Sequence, residues 1–537
     1  VTMKWWDDLW LNESFANLME YIAVDALYPT WNIWLDYAAK EISLALNRDS
    51  IAGVQPVKTV VHHPDEIGVL FDPPIAYPKA GRLLRMLREF IGEQAFRSGL
   101  RDYFTTHAYS NTSSADLWRA FERHTEKNVV QLMDAWLRQS GFPQIAVHTT
   151  ETGYRLQQSR LLIGGHDTDQ LWPVPLAARQ PDFPELMTTK TLKFDAKHQL
   201  PLLNQQSVTH SVTVYDHAAL SLVMDALDTQ RLDTLDRIGL LFEYALLARA
   251  GTVPATELVR ILSHYTDETE QSVWSVISYV ITELKRYITS ESDSELVALY
   301  LTELAAPLYQ SLGTVEQADD TDAQKKLRAM VCLLLSDANY PPVVEQLLHI
   351  GSKGLSTLGG EMRVAVYAAM AQHGSRDDFA ALLALHHSTT DAQARQDAAD
   401  ALTSTRDSDH IALLLNQLTD KSRVKPQDVV RWFTLLMRNP YARDACWAWM
   451  THHWHHIAAT YSGDKLYEAF PRYAANAMNT EQEYRQFADF FEPKQHDVAL
   501  RRVVEIGLHE LKHRSTLLAE QHDDVIQAIR DTSRLSQ

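Results

Sequence analysis

The spacing of apolar residues changes twice along this 537-residue chain. Residues 1–142 and 226–537 carry apolar side chains at helical intervals, whereas residues 143–225 hold short β-type runs separated by Gly, Asp and Pro. A single hydrophobic core stops growing at about 250–300 residues, so a chain of this length needs several cores. The pattern therefore predicts a mainly α protein with a small antiparallel β-sandwich between two helical regions.

The first region also carries start and stop signals of helices. Asp7 or Asp8 can cap a helix that begins the chain, and Pro78 suits the first position of a later helix. Gly141 and Pro143 end the last helix before the β-type runs. In the third region, apolar helical segments follow one another with short polar breaks and no strict repeat length. That succession predicts helical hairpins stacked side by side, as in helical-repeat domains.

Charge and cysteine content exclude several classes of partner. The formal net charge is −19 and the sequence pI is about 5.6, which disfavours binding to nucleic acid or to an anionic membrane surface. No apolar run reaches the roughly 18 residues of a membrane-spanning helix. Only two cysteines occur, so the chain has neither a disulfide framework nor a Cys-rich metal site. These features predict a cytoplasmic protein without a nucleic-acid or membrane partner.

One acidic residue near the start lies within an unusually apolar segment. The stretch WWDDLWLNESFANLMEY, residues 5–21, surrounds Glu13 with aromatic and aliphatic side chains. Burying an ionised carboxylate costs several kcal/mol unless it is paired or bound to a cation. We therefore expect a partner for Glu13, and a metal ion is one candidate. The alternative is an ordinary solvated glutamate on a helix surface.

Residues 1–21 resemble a segment of the M1 family of zinc metallo-aminopeptidases. In that family the similar segment follows the His-Glu-x-x-His helix, whose two histidines bind zinc, and an Asn-Glu pair then supplies the third ligand. The resemblance implies that Asn12 and Glu13 correspond to this pair and that Glu13 is the third zinc ligand. Ser14 stands where the family usually has Gly.

A second segment, FDPPIAYPKAGRLLRML, is similar to the part of the family that bears a catalytic tyrosine. The resemblance implies that Tyr77 is this residue, although Lys79-Ala80-Gly81 replaces the usual Lys-Gly-Ala. A phenol has an ordinary pKa of about 10 and remains a proton donor at neutral pH. Placed before Pro78 at a helix start, its hydroxyl would suit stabilisation of an oxyanion. The alternative is a packed tyrosine whose hydroxyl caps a turn.

The resemblance extends over nearly the whole chain and implies three domains. Residues 1–142 would be the helical C-terminal part of a thermolysin-like catalytic domain, and residues 143–225 a β-sandwich. Residues 226–537 would form a large α-helical, HEAT-like C-terminal domain.

Two motifs of the family do not occur where the resemblance requires them. No His-Glu-x-x-His precedes Asn12-Glu13, since the one match in the sequence, His509 to His513, lies near the other end of the chain. Gly-x-Met-Glu-Asn, which in the family clamps the free amino terminus of a substrate, does not occur at all. Because the first residue is Val1 and the resemblance begins in mid-motif, we expect both motifs to lie before Val1. The chain is then the C-terminal part of a zinc-dependent aminopeptidase that removes N-terminal residues from peptides. Its partners would be peptide substrates and the missing N-terminal portion of the same protein.

The complete enzyme would hold one zinc ion, whereas the chain alone would bind zinc weakly or not at all and would be inactive. The alternative function is a non-catalytic helical-repeat scaffold in which Glu13 is merely salt-bridged. Two groups of histidines, His62-His63 and the run from His452 to His456, offer other possible ligands. No acidic or Cys residue adjoins the second group, so we interpret its histidines as structural or solvated, and we expect His62-His63 to have a loop role.

Overall fold

The computed structural model describes residues 1–63, 72–165, 169–177, 183–196, 202–355 and 358–533. Residues 64–71, before the segment that bears Tyr77, lie outside the described residues. The chain separates into two compact units, Val1–His264 and Tyr265–Gln537. Helices predominate in both units, which confirms the predicted mainly α class.

The described part of the first 142 residues is mostly helical, as its periodicity predicts. A 3-10 turn at Trp6–Asp8 leads directly into the first α-helix, and two π-helical turns occur at Tyr37–Ile42 and Ile75–Lys79. The described α-helices are Leu9–Leu27, Ile33–Asp36, Ser43–Asp49, Ala80–Ile91, Glu93–Thr106, Ser114–Glu122 and Val129–Arg138.

Asp8 occupies the predicted cap position but does not cap the helix Leu9–Leu27 with its side chain. Its buried carboxylate instead accepts hydrogen bonds from Lys58 Nζ at 2.8 Å and from the backbone N–H of Ser114 at 2.9 Å. These partners lie 50 and 106 residues away, so a local pattern could not reveal them. Asp8 therefore joins the start of this helix to two distant segments.

Pro78 does not begin a helix, contrary to the prediction. The helical run starts earlier, because Pro73 and Pro74 are already helical and the Asp72 carbonyl accepts bonds from the next turn. A proline inside an α-helix removes a backbone hydrogen bond and collides with the preceding turn. The wider π turn Ile75–Lys79 accommodates this proline before the regular helix Ala80–Ile91 continues.

A four-stranded sheet follows the helices, within the region whose short β-type runs predict strands. The order across this sheet is Thr191–Asp195, Gly153–Arg160, Pro143–Thr149 and Val212–Tyr215. A second, two-stranded sheet pairs Val174–Pro175 with Leu186–Met187. In the central strand, Ile145 and Val147 are buried, which matches the two-residue alternation expected of a strand with one face on a core.

The larger sheet is mixed rather than purely antiparallel. Strand Val212–Tyr215 runs parallel to Pro143–Thr149, with Gln144 opposite Val212, while the other pairings are antiparallel. Parallel neighbours need a connection of a dozen or more residues, and residues 150–211 provide one. The alternation of apolar and polar residues predicts where the strands lie, but it does not predict whether neighbouring strands run parallel or antiparallel.

Three helices complete the first unit after the sheet: His217–Asp228, Thr234–Arg249 and Ala255–Leu262. The predicted domain limit at residue 225 falls within the first of these. The limits at 142 and 225 stay predictions, because the chain separates into compact units only near residue 264.

In the second unit, the described helices are joined by turns and loops, and no described residue of this unit lies in a strand. Alternate helices contact one another in a row, from Asp322–Asp337 to Gly360–His373, then Ala392–Leu402 and Pro426–Arg438. The intervening helices pack beside this row, as hairpins do when they stack. The other helices of this unit are Gln271–Leu284, Glu291–Leu312, Pro341–Ser352, Arg376–Ser388, Ser408–Gln417, Arg443–His452, Trp454–Tyr461, Ala469–Ala477, Glu481–Phe491 and Val498–Thr532. Among the described residues, every helix is too short or too polar for a membrane span.

Candidate active site

Glu13 lies in the second turn of the helix Leu9–Leu27 and is half-buried. Its neighbours Leu11 and Ser14 are buried, whereas Asn12 is exposed. Glu13 therefore stands at the edge of the core, where its carboxylate is partly shielded from water and still accessible from one side.

Two helices run side by side at this edge. A Cβ atom placed on Gly81 would lie only 2.9 Å from Asn17 Oδ1 and 3.6 Å from the Ser14 carbonyl oxygen. The lack of a side chain at Gly81 thus allows the Tyr77-bearing helix to approach the Glu13-bearing helix closely. Asn17 is four residues after Glu13 and Gly81 is four residues after Tyr77, so each pair occupies successive turns of its helix. The same approach that brings Gly81 to Asn17 brings Tyr77 to Glu13.

The side chains of Tyr77 and Glu13 are joined by a hydrogen bond. At neutral pH the phenol is the donor and the carboxylate the acceptor. This hydrogen bond to Glu13 is the main cause of a raised pKa of the Tyr77 hydroxyl, with smaller contributions from burial and from the Glu13 charge. Tyr77 therefore retains its proton at neutral pH and presents it at the Glu13 carboxylate, although the two residues lie 64 positions apart.

The sequence suggested that aromatic side chains enclose Glu13, but not all of the aromatic residues near it are buried. Trp10 is buried and stacks on Trp118 with ring centroids 6.2 Å apart. Trp5 and Trp6, by contrast, are 45% and 43% exposed, and the Trp5 indole N–H donates to the Val61 carbonyl oxygen at 2.6 Å. Trp5 and Trp6 precede the α-helix that begins at Leu9, whereas Trp10 lies on the buried face of that helix.

The described residues include no group of three or more His, Cys, Asp or Glu side chains that could hold a metal ion. A catalytic zinc site requires three protein ligands and one open position. Glu13 fits one of these ligands, because a carboxylate can accept the Tyr77 hydrogen bond and still offer lone pairs to a cation. The other two ligands are not among its described neighbours.

The other histidine candidates are mostly exposed. His62 and His63 are exposed in an irregular segment. His452, His455 and His456 are exposed as well, and His453 Nδ1 is hydrogen-bonded to the Trp449 carbonyl oxygen at 2.8 Å. These positions agree with a structural or solvated role.

A completely buried charged cluster lies behind Tyr77, and the sequence analysis missed it. The Lys79 ammonium is 2.8 Å from Asp49 Oδ2, and both side chains are 0% exposed. His210 Nε2 lies 3.0 Å from the same carboxylate oxygen, and the backbone N–H of Gly141 donates to Asp49 Oδ1 at 2.9 Å. We name Asp49, Lys79 and His210 the buried triad.

The pKa shifts in the buried triad indicate an ionised carboxylate beside a neutral imidazole. Burial by itself raises the pKa of Asp49, but the Lys79 charge and the His210 hydrogen bond outweigh it and lower that pKa to about 2. Burial lowers the pKa of His210 to about 3, despite the opposing effect of Asp49. His210 is therefore neutral and donates its Nε2–H to Asp49, and the carboxylate charge is balanced by Lys79.

No local pattern marks the buried triad, because its members come from three separate segments. His210 and Asp49 are 161 residues apart. In the sequence, Lys79 stands out only as the first residue of Lys79-Ala80-Gly81, which replaces the family's Lys-Gly-Ala. The one available signal was a lysine between Pro78 and the apolar residues of a helix predicted to pack into a core.

Family models match the chain in two places. The peptidase family M1 domain matches residues 1–136, which contain Glu13 and Tyr77, and the ERAP1-like C-terminal domain matches residues 200–513. The first match covers the region of the candidate site, and the second covers more than half of the chain.

Curated relatives are similar along the whole sequence. Aminopeptidase N of Lactococcus lactis subsp. lactis strain IL1403 is 32% identical over 548 residues, which cover 99% of this chain and 64% of the relative. Aminopeptidase N of Lactobacillus helveticus is 31% identical over 98% of this chain and 64% of the relative. The puromycin-sensitive aminopeptidase of Caenorhabditis elegans is 26% identical over 91% and 54%. The chain belongs to the M1 aminopeptidase family, and it spans about 64% of the length of its Lactococcus and Lactobacillus relatives.

Proposed function

We propose that this chain is the C-terminal part of a zinc-dependent aminopeptidase that removes N-terminal residues from peptides. In this proposal Glu13 is the third zinc ligand and Tyr77 stabilises the oxyanion of the tetrahedral intermediate. The observation that carries it is the hydrogen bond between Glu13 and Tyr77 across two adjacent helices. The scaffold hypothesis expects Glu13 to be neutralised by a basic side chain, whereas the partner found here is a phenol.

The two residues divide the chemistry between them. When bound, zinc supplies a Lewis acid that lowers the pKa of a coordinated water towards 7 and polarises the scissile carbonyl. Glu13 contributes one negatively charged oxygen ligand from a rigid helix. Tyr77 holds its proton at neutral pH, so its hydroxyl can donate to the carbonyl oxygen as negative charge develops there.

We further propose that two histidine ligands, the general base and the clamp for the substrate amino group come from a segment outside these 537 residues. The sequence has no Gly-x-Met-Glu-Asn, and its one His-Glu-x-x-His, His509 to His513, lies in the helix Val498–Thr532 and not in a segment that precedes Asn12-Glu13. The chain alone is then inactive, because one carboxylate does not hold catalytic zinc. Its physiological partner is the remainder of the same protein. Both cysteines are buried free thiols, which supports a reducing, cytoplasmic location.

Zinc content and hydrolysis test this proposal together. The purified 537-residue chain and the protein translated from the complete reading frame are each dialysed against equal free zinc, and bound metal is measured by atomic absorption. Hydrolysis of an aminoacyl-nitroanilide is measured on the same samples. We expect the complete protein to hold one zinc per chain and to turn over substrate, and the 537-residue chain to do neither.

Stoichiometric zinc and normal turnover in the 537-residue chain would contradict the proposed division of ligands. A complete reading frame that encodes no His-Glu-x-x-His before Val1, with a protein inactive on peptides, would contradict the enzyme assignment and favour the scaffold.

A further inference from the structure

We propose that Lys79 is a positioning residue: its ion pair with Asp49 fixes the π turn Ile75–Lys79 so that the Tyr77 hydroxyl reaches Glu13. This inference rests on the proposed function of Tyr77, but it concerns a contact that can be measured without catalysis. Lys79 itself does not touch Glu13, so it is not assigned a catalytic role.

The Lys79 ammonium is held from three directions. Besides Asp49 Oδ2 at 2.8 Å, it donates to the carbonyl oxygens of Gln139 and Gly141, each at 3.4 Å. An ammonium has three N–H donors, so each donor has an acceptor. This arrangement fixes the end of the side chain in space rather than merely neutralising its charge.

Asp49 transmits this constraint to elements that are themselves anchored. It ends the helix Ser43–Asp49, and its two oxygens also accept bonds from His210 and from the Gly141 backbone. His210 lies two residues before the strand Val212–Tyr215, which is paired with Pro143–Thr149 in the four-stranded sheet. The buried triad therefore connects the π turn to one helix and two loop segments.

The π turn has a specific need for such an anchor. Pro78 lacks a backbone N–H, and the i→i+5 geometry interrupts the regular hydrogen bonds between residues 75 and 79. Residues two apart on a helix point to nearly opposite sides. The Lys79 side chain thus enters the core while the Tyr77 side chain faces Glu13. Because both residues belong to the same turn, the contacts that hold Lys79 also set the direction of Tyr77.

Fluorine NMR of the full 537-residue chain tests the proposal directly. Tyrosines are replaced by 3-fluorotyrosine, and the Tyr77 signal is assigned by its loss in Tyr77→Phe. The signal of Tyr109, a fully exposed residue, is assigned through Tyr109→Phe and serves as the solvent reference. We expect Lys79→Met to move the Tyr77 signal to the position of Tyr109, because the hydrogen bond to Glu13 is lost.

A second variant guards against simple misfolding of Lys79→Met, which leaves the Asp49 charge buried without its partner. The double variant Asp49→Leu with Lys79→Met removes both charges at similar volume, and such replacements are often neutral for stability. We expect it to fold and still to show the displaced Tyr77 signal. A Tyr77 signal at its wild-type position in the double variant would overturn the proposal, whatever the stability of the single one.

Arg82→Met is the matched control. Arg82 is also completely buried on the same helical run, but its Nη2 group donates to the loop carbonyl oxygens of Ser207 and Thr209 and not to the π turn. We expect it to lower the unfolding temperature while leaving the Tyr77 signal in place, and an equal displacement in this variant would overturn the specific role of Lys79. Because no outcome depends on hydrolysis or zinc, failure here is distinguishable from failure of the proposed function.

Discussion

Replacing Tyr77 by phenylalanine in the protein translated from the complete reading frame is expected to lower kcat by about 10²–10³-fold, the usual effect of removing one oxyanion donor. The hydroxyl interacts most strongly with the oxyanion, which exists only near the transition state, so KM should change little. Steady-state hydrolysis of an aminoacyl-nitroanilide measures both constants, and zinc content is measured on the same preparation. We expect zinc to be retained, since Tyr77 is a partner of Glu13 and not a ligand.

Tyr103→Phe is the control for the loss of a phenol. The Tyr103 hydroxyl shares a buried hydrogen bond of 2.5 Å with Thr112 Oγ1, outside the Glu13–Tyr77 contact. This variant should lose some stability and keep its kcat. A Tyr77→Phe enzyme with wild-type kcat, or one whose defect is confined to KM, contradicts the role proposed for Tyr77.

Asp49→Asn is expected to destabilise the first unit by about 3–5 kcal/mol, the usual cost of removing one partner of a buried ion pair. The asparagine preserves the shape of the side chain but leaves the Lys79 ammonium uncompensated in a site with 0% exposure. Urea unfolding of the 537-residue chain, followed by tryptophan fluorescence, measures the loss. Asp36→Asn is the control, because the exposed pair of Asp36 with Lys40 at 3.3 Å should contribute no more than about 1 kcal/mol.

The Asp49 effect should also depend on pH in a defined direction. The folded-state pKa of this carboxyl is lowered to about 2, so its stabilising contribution is complete above the unfolded-state value of about 3.9. It is lost as the pH falls from there through the folded-state value. The difference in free energy of unfolding between the wild-type chain and Asp49→Asn should therefore be constant near neutral pH and shrink below about pH 4. An equal difference at pH 7 and pH 3 would show that the Asp49 charge does not stabilise the fold.

Much of the fold was predictable because it depends on local patterns. Helical spacing located the helices on both sides of the sheet, and Ser113 with Asp116 forms the capping box of a helix that the sequence predicted. Alternating runs located the strands. Such signals are contained within a few residues, so a single sequence carries them.

The features that were missed depend on distant partners. Asp8 does not cap the helix Leu9–Leu27, because its carboxylate accepts hydrogen bonds from Lys58 and Ser114 instead. Pro78 lies inside a helix because a π turn relieves its steric conflict. The parallel strand Val212–Tyr215 is likewise set by a long connection that local spacing does not specify.

The candidate site shows the same division. From base rates alone Glu13 was a solvated helix residue and Tyr77 a packed tyrosine, and only the resemblance to a family paired them. The structure supplies the contact between them, and it also supplies the buried triad, for which neither periodicity nor the family resemblance gave a signal.

The most direct test of the central claim is the zinc content of the complete protein when the Glu13 carboxylate is removed. Glu13→Gln preserves the size of the side chain but removes the charged ligand, and Glu20→Gln makes the same change at an exposed position of the same helix. At equal free zinc, we predict one metal ion per chain in the wild type and in Glu20→Gln, and a loss of most of the zinc in Glu13→Gln. Full zinc occupancy in Glu13→Gln would contradict the assignment of Glu13 as a metal ligand.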